Sequence, residues 1–228
     1  MSLLRWLFDA QLHFGNATFA VREVIGGVLG LASAILGMRR MVLAWPIGIL
    51  GDGLLFTVFC GALFSFSKNE NHPALYGQAG RNLLLIFVSI YGWISWSRNR
   101  RVNSSHTPVE PRWTTRKERV NLTVFSFGLY ILFLEVFSHL GERTYGTWLY
   151  VDTWIFTGTA LATYAMSKGY VEFWLIWVAV DVVGVPFALA HGNYPTGILY
   201  AIYMPFVLRG FYSWLHLARN SRKMLGTV

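Results

Sequence analysis

The amino-acid sequence predicts an all-α polytopic membrane protein: seven transmembrane helices, as two parallel three-helix repeats joined by a linker helix. Three observations predict this three-plus-one-plus-three plan. The 228 residues are 54% hydrophobic and only 13% charged, with a mean hydropathy of +0.44; soluble domains carry about 25% charged residues. Apolar runs near the ~20 residues needed to cross hydrocarbon as a helix occur seven times. Residues of the first three runs recur in the last three at fixed offsets.

The elements follow in order. Residues 1–20 are too short and too interrupted to span. Trp6, Leu7 and Phe8 beside Asp9, Gln11 and His13 read as an interfacial helix on the membrane surface. No small-residue cleavage site follows a clean apolar core, so no removed signal peptide is expected. The first repeat occupies 21–97, with spans at 22–38, 41–66 and 75–97. Gly26, Gly27, Gly30, Ala32 and Ala34 mark the first span as closely packed. Residues 98–119, RNRRVNSSHTPVEPRWTTRKER, form a basic extramembrane loop. A linker helix follows at 120–140. The second repeat occupies 141–217, with spans at 147–166, 170–190 and 194–217, and 218–228 is a tail.

The net charge of +8 sits in the gaps between apolar runs. It therefore reads as membrane topology, and a nucleic-acid partner is not expected. On alternate sides, thirteen Lys and Arg oppose only Arg5, Arg22, Lys68 and Arg143. The positive-inside rule puts the basic side in the cytoplasm of a bacterial inner membrane, with the N-terminus outside and the C-terminus cytoplasmic. The single Cys60 allows neither a disulfide framework nor a CxxC metal site.

Trp45 and Asp52 in span two match Trp174 and Asp181 in span six at an offset of 129, and Glu23 and Arg39 match Asp152 and Lys168 at the same offset. Tyr76, Gly92, Ser95 and Trp96 match Tyr194, Gly210, Ser213 and Trp214 at 118. The offset changes across 67–74, SKNENHPA, where an insertion costs little. An odd number of spans separates corresponding helices, so both units point the same way, as in parallel-repeat transporters.

Asp52 and Asp181 fall at mid-span, where an ionised carboxylate costs several kcal/mol unless it faces a cavity or a partner. Pairing with Arg81 or Arg209 is the competing use. Glu135, near His139, lies towards the outer end of span four. Gln78, Asn82, Ser89, Trp93 and Trp96 share one face of span three. Trp174, Trp177 and Asp181 share a face of span six; Tyr200, Tyr203 and Trp214 come from span seven, and Thr159 and Thr163 from span five. Trp6, Trp45, Trp148 and Trp214, with Trp96, suit the interfacial belt. The deeper Trp93 and Trp177 suit stacking. The expected substrate site is therefore Gln78, Asn82, Trp93, Trp177, Asp181, Tyr200 and Tyr203, with Asp52 as the repeat counterpart of Asp181. Such a site suits a small polar molecule with a flat ring, and a cationic ring would gain cation–π attraction. Pro46, Pro186 and Pro205 place kinks that allow one bundle to rock on the other.

Sequence motifs for a metalloprotease, a P-loop or a serine hydrolase are absent, so no enzyme, cofactor or metal site is expected. Without an ATP site, primary pumping is not expected either.

The seven-span plan, YGWISW closing span three and WxxWxxxD in span six resemble the Pnu-type bacterial vitamin transporters, specifically those carrying nicotinamide riboside. The resemblance runs over roughly 20–217. It implies a full-length relative of the SWEET and semiSWEET sugar transporters. It further implies uptake of a vitamin B3 precursor by facilitated diffusion with alternating access, and trapping by cytoplasmic phosphorylation for NAD biosynthesis. Trp93 and Trp177 would then take the ring, Gln78 and Asn82 the amide or ribose hydroxyls, and Asp181 the charge. Family members that carry riboflavin or thiamine leave the vitamin open. Proton-coupled transport through Asp52, Asp181 or Glu135 is the near alternative. A non-transporting sensor or scaffold using the basic loop is the distant one. Partners beyond substrate and bilayer, including further copies of the chain, stay open.

Overall fold

The computed structural model describes residues 6, 10–14, 17–60, 76–102, 107–140, 146–190 and 194–225. Among them are seven long helices: α1 (Val21–Met38), α2 (Ala44–Phe59), α3 (Tyr76–Val102), α4 (Arg116–Leu140), α5 (Thr147–Ser167), α6 (Phe173–Ala190) and α7 (Tyr194–Leu225). They pack in the order α1–α2–α3–α5–α6–α7 and back to α1, a closed ring of six, with α4 outside against α5. The ring has two kinds of seam. Neighbours within a repeat pack extensively, whereas α3–α5 and α7–α1 join one repeat to the other.

Internal duplication explains the ring's geometry. The turn from α1 to α2 holds Arg40 at φ 57°, and the turn from α5 to α6 holds Gly169 at φ 75°, at the 129 offset. Both turns therefore use the left-handed region at the same place, although only one has the residue that adopts it without strain. The indole N–H of Trp96 donates to the Ser167 carbonyl at 3.1 Å, and that of Trp214 donates to the Met38 carbonyl at 3.0 Å. Each bond crosses a repeat boundary, and each is the image of the other.

Tryptophan and glycine set the close approaches. Gly92 of α3 presents its bare face to the ring of Trp45, and Gly210 of α7 does the same for Trp174; a Cβ at either position would overlap the indole. Trp45, Trp96, Phe173, Trp174 and Trp214 are each at most 4% exposed and form the core at the end of the ring that carries Arg39, Arg40 and Lys168. Burying side chains of this size is worth roughly 1.5–3 kcal/mol each. The interfacial belt expected of Trp45, Trp96 and Trp214 is thus corrected. Bare glycine faces and carbonyl acceptors take these rings inward, while Trp6 is exposed.

The linker helix α4 is the opposite case. Val124, Phe125, Phe127 and Leu132 are more than half exposed, and nothing in its apolar window is buried. A helix so apolar and so bare is stable facing lipid tails.

Two boundaries differ from expectation. The N-terminal segment is not an interfacial helix throughout: Gln11–Phe14 (β1) and Ala17–Ala20 (β2) pair antiparallel, Phe14 opposite Ala17. Gly15-Asn16, a hairpin-turn dipeptide, separates them in the sequence. The basic loop is shorter than 98–119, because α3 runs to Val102 and α4 begins at Arg116. Its described part, 107–115, is docked. The Arg112 N–H donates to the Gly169 carbonyl and the Val171 N–H to the Arg112 carbonyl, both at 2.9 Å, with Val109, Pro111 and Thr114 buried. The Thr114 N–H and hydroxyl both donate to the Glu172 carboxylate.

Glu118 anchors the docked segment just before the apolar run starting at Val120. It accepts two bonds from Arg112, at 2.9 and 2.7 Å, one from the Thr115 N–H and one from the Tyr170 hydroxyl. The Arg112 guanidinium first, then the Thr115 N–H, hold its carboxyl well below the usual carboxylate range.

Candidate functional site

The six-helix ring encloses a cavity of about 440 Å³, within the roughly 300–1,000 Å³ of small-molecule sites. Its floor, at the basic end, is the aromatic core: Trp45, Phe173 and Trp174 face into it. At the other end Trp148 of α5 meets Phe187 of α6 edge to face, centroids 4.6 Å apart, and both line the cavity.

Four carboxylates line the walls: Glu23 on α1, Asp52 on α2, Asp152 on α5 and Asp181 on α6. They form two repeat pairs at the 129 offset, so the duplication delivers one acid from the first and second helix of each unit. Among the described residues the one basic residue on the wall is Arg81 of α3, facing the same cavity as Asp52. Its position in the second repeat is Leu199. In the sequence the pseudo-symmetry is therefore broken here: the repeat bearing Asp52 carries a cationic residue where the repeat bearing Asp181 has an aliphatic one. Asp181 is 3% exposed, and its Oδ2 has no hydrogen-bond partner among the described residues. A buried carboxylate oxygen left bare next to a cavity is expensive unless something in the cavity bonds to it.

The indole Nε1 atoms of Trp45 and Trp174 are likewise buried without partners among the described residues, again as a repeat pair. Thr159 and Thr163 also line the wall, but each hydroxyl donates to the carbonyl four residues back, at 2.6 and 2.8 Å. They present acceptor oxygens rather than donors. Tyr203 lines the wall while its hydroxyl donates to the Gly27 carbonyl at 3.0 Å, bridging α7 to α1. The counterparts of these two, Leu85 and Phe156, meet the cavity with apolar surface.

Of the residues expected from the sequence, Asn82, Trp177, Asp181, Tyr203 and Asp52 come together on this cavity. Trp93 does not. It is 43% exposed on the outside of the ring. Gly92 gives its bare face to Trp45, so the next side chain, ~100° further round the helix, points away. Gln78 and Tyr200 sit on α3 and α7, and their side chains lie outside the described residues. Arg209 lies away from the cavity, so it is no partner for either aspartate there. Glu135 is on the exposed face of α4, 3.7 Å from His139. Glu23 and Asp152 were expected only as repeat matches, Arg81 only as a partner for an aspartate, and Trp148 in the interfacial belt; the last is corrected, because its ring packs on Phe187 and lines the cavity. The repeat offset pointed to the first two; nothing marked the others as inward.

A model of the family described as nicotinamide mononucleotide transporter matches residues 20–216. The riboflavin/roseoflavin transporter RibM of Streptomyces davaonensis is 33% identical over 223 residues, 97% of this chain and 98% of that protein. The nicotinamide riboside transporter PnuC of Escherichia coli is 23% identical over 219 residues, 87% of this chain and 86% of that protein. The crystal structure of a vitamin B3 transporter PnuC superposes with a TM-score of 0.66 at 17% identity, covering 87% of this chain and 82% of that one. The seven-helix fold is shared.

Proposed function

The chain belongs to the nicotinamide mononucleotide transporter family, and from that premise we propose that it carries a flat-ring vitamin across the membrane by facilitated diffusion, riboflavin being the first candidate. As a member of this family it is a multi-pass membrane transporter of a small molecule. The observation that carries the proposal is the ring cavity with the unpartnered Asp181 carboxylate in its wall, one turn from Trp177. An indole face and a bare acceptor at the same height suit a planar heterocycle with ring N–H or hydroxyl donors. Riboflavin takes precedence because the riboflavin-carrying relative is 33% identical along nearly the whole chain, against 23% for the nicotinamide riboside carrier.

Nicotinamide riboside, the expectation from the sequence, is the second reading. The charge of the wall favours it: among the described residues, four carboxylates against one arginine suit a ligand with a cationic ring. In either reading the charge bias puts the basic end in the cytoplasm. The floor of Trp45, Phe173 and Trp174 then closes the inner side, and Trp148 with Phe187 stands at the outer one. Alternating access would part these two closures in turn.

Calorimetric titration of the detergent-solubilised protein with riboflavin, nicotinamide riboside, thiamine and glucose tests the reading. Binding of riboflavin alone supports the first candidate, and binding of nicotinamide riboside alone moves the substrate to the second. Folded protein that binds none of the vitamins overturns transport of this substrate class. Uptake into vesicles that is unchanged by an imposed pH gradient supports facilitated diffusion over proton coupling.

A further inference from the structure

The two seams between repeats are images of one another in position but not in chemistry. At the basic end of α3–α5, Tyr91 and Tyr164 stack with centroids 6.0 Å apart, and the Lys168 ammonium lies 5.2 and 5.6 Å from their centres. That seam satisfies its own cation. The corresponding residues of α7–α1 are Arg209, Ile35 and Arg39. Here the chain leaves a groove of about 330 Å³ lined by Ile35, Met38, Arg39, Phe206 and Arg209. Both arginines are exposed, no carboxylate lines the groove, and neither forms an ion pair among the described residues.

Depth identifies what belongs there. Arg39 caps α1 at the basic end. Arg209 lies five residues, about 7 Å, before Trp214 on α7, and Trp214 is tied to the Met38 carbonyl. Arg209 is therefore on the membrane side of that tie, on an outer helix face, with apolar Ile35 and Phe206 beside it. An arginine at such a depth reaches for the phosphate layer, and a guanidinium matches two phosphate oxygens at once. Basic pockets between helices at this membrane surface suit anionic lipid head groups.

We infer that the α7–α1 seam binds one anionic phospholipid from the leaflet at the basic end. Its phosphate meets Arg39 and Arg209, and one acyl chain lies along Ile35, Met38 and Phe206. The inference is independent of which vitamin occupies the central cavity. The bound lipid would cover a seam that the protein itself leaves partly open.

Native mass spectrometry of the protein with phosphatidylglycerol or phosphatidylcholine tests it. The wild type is expected to retain one phosphatidylglycerol about tenfold more strongly than phosphatidylcholine. Arg209→Gln and the double variant Arg39→Gln/Arg209→Gln lose that preference, whereas Lys168→Gln at the sister seam keeps it. The single variant carries the test if the double one does not fold. Equal retention of the two lipids overturns the site, as does a loss in Lys168→Gln matching that in Arg209→Gln. Displacement of the lipid by soluble glycerol 3-phosphate also overturns it, because the acyl chain would then contribute nothing.

Discussion

Trp96 and Ser167, on helices of different repeats, are joined by an indole-to-carbonyl hydrogen bond of 3.1 Å. Trp214 and Met38 repeat the arrangement at 3.0 Å on the opposite seam. Each unit thus finishes the helix end of the other, so neither three-helix unit satisfies all its buried polar groups alone.

Replacing either indole by phenylalanine removes the donor and leaves a carbonyl short of its partner in a core where both tryptophans are fully buried. Trp96→Phe and Trp214→Phe should each lower stability by about 1–3 kcal/mol. Thermal unfolding in detergent reads the loss. Unchanged melting in both variants would mean the bonds are incidental to the ring.

Gly92→Ala and Gly210→Ala place a methyl group inside the van der Waals surface of Trp45 and Trp174. Alanine is worth up to about 1 kcal/mol more than glycine within a helix, but overpacking costs about 1–3 kcal/mol, so net destabilisation is expected. Both indoles form the cavity floor, so ligand binding should weaken along with melting temperature. Binding that survives intact while stability drops would detach the floor from the substrate site.

Asp181→Asn separates the two substrate readings. A hydrogen bond to a charged group is worth about 1.5–3 kcal/mol, roughly 10- to 150-fold in affinity. Any ligand donor that meets the carboxylate loses up to that much, and nicotinamide riboside, with its cationic ring, should lose more affinity than riboflavin because the wall also loses a negative charge. Equal losses for the two ligands would assign Asp181 to hydrogen bonding rather than to charge recognition.

The docked loop should respond to acid. The carboxyl of Glu118 is depressed in the folded protein by Arg112 and the Thr115 N–H. Its stabilisation is therefore fully present above the unfolded value of about 4.3, and it fades as pH falls below that value towards the folded one. The protection of 107–115 against hydrogen exchange, relative to the intrinsic amide rate at each pH, should fall on acidification below about pH 4, and Glu118→Gln should be less protected already at neutral pH. Identical exchange in variant and wild type at neutral pH would leave the anchor without a role.

Much of this was legible in the chain. Asp52 and Asp181 announced themselves as carboxylates in apolar runs, and shared offsets assigned them to duplicated helices. Trp177 and Asn82 followed from helical phase. Trp93 shows the limit of that method: its phase lies close to Asn82, but a glycine–indole contact next door turns the face away. Trp45, Trp96 and Trp214 were misread because a tryptophan at a span end serves a membrane interface or a buried floor equally well. Only its partner across the ring decides. The pairing of Gln11–Phe14 with Ala17–Ala20 had a turn-type dipeptide, Gly15-Asn16, between its strands in the sequence, obscured by the apolar cluster at Trp6–Phe8. The docking of Val109 to Thr114 had no local signature, since a short proline-bearing basic stretch looks the same tethered or free.

The reciprocal tryptophan ties also impose an order of assembly. The Trp96–Ser167 pair spans 71 residues of chain, whereas Trp214–Met38 and Tyr203–Gly27 each span 176. During synthesis from the N-terminus, the first seam can shut while the last helix is still in the ribosome. The first helix must meanwhile wait in the bilayer with one edge uncovered until almost the whole polypeptide has been made. The seam that closes last is the one left with two bare arginines, so the nascent protein meets lipid there before it meets itself.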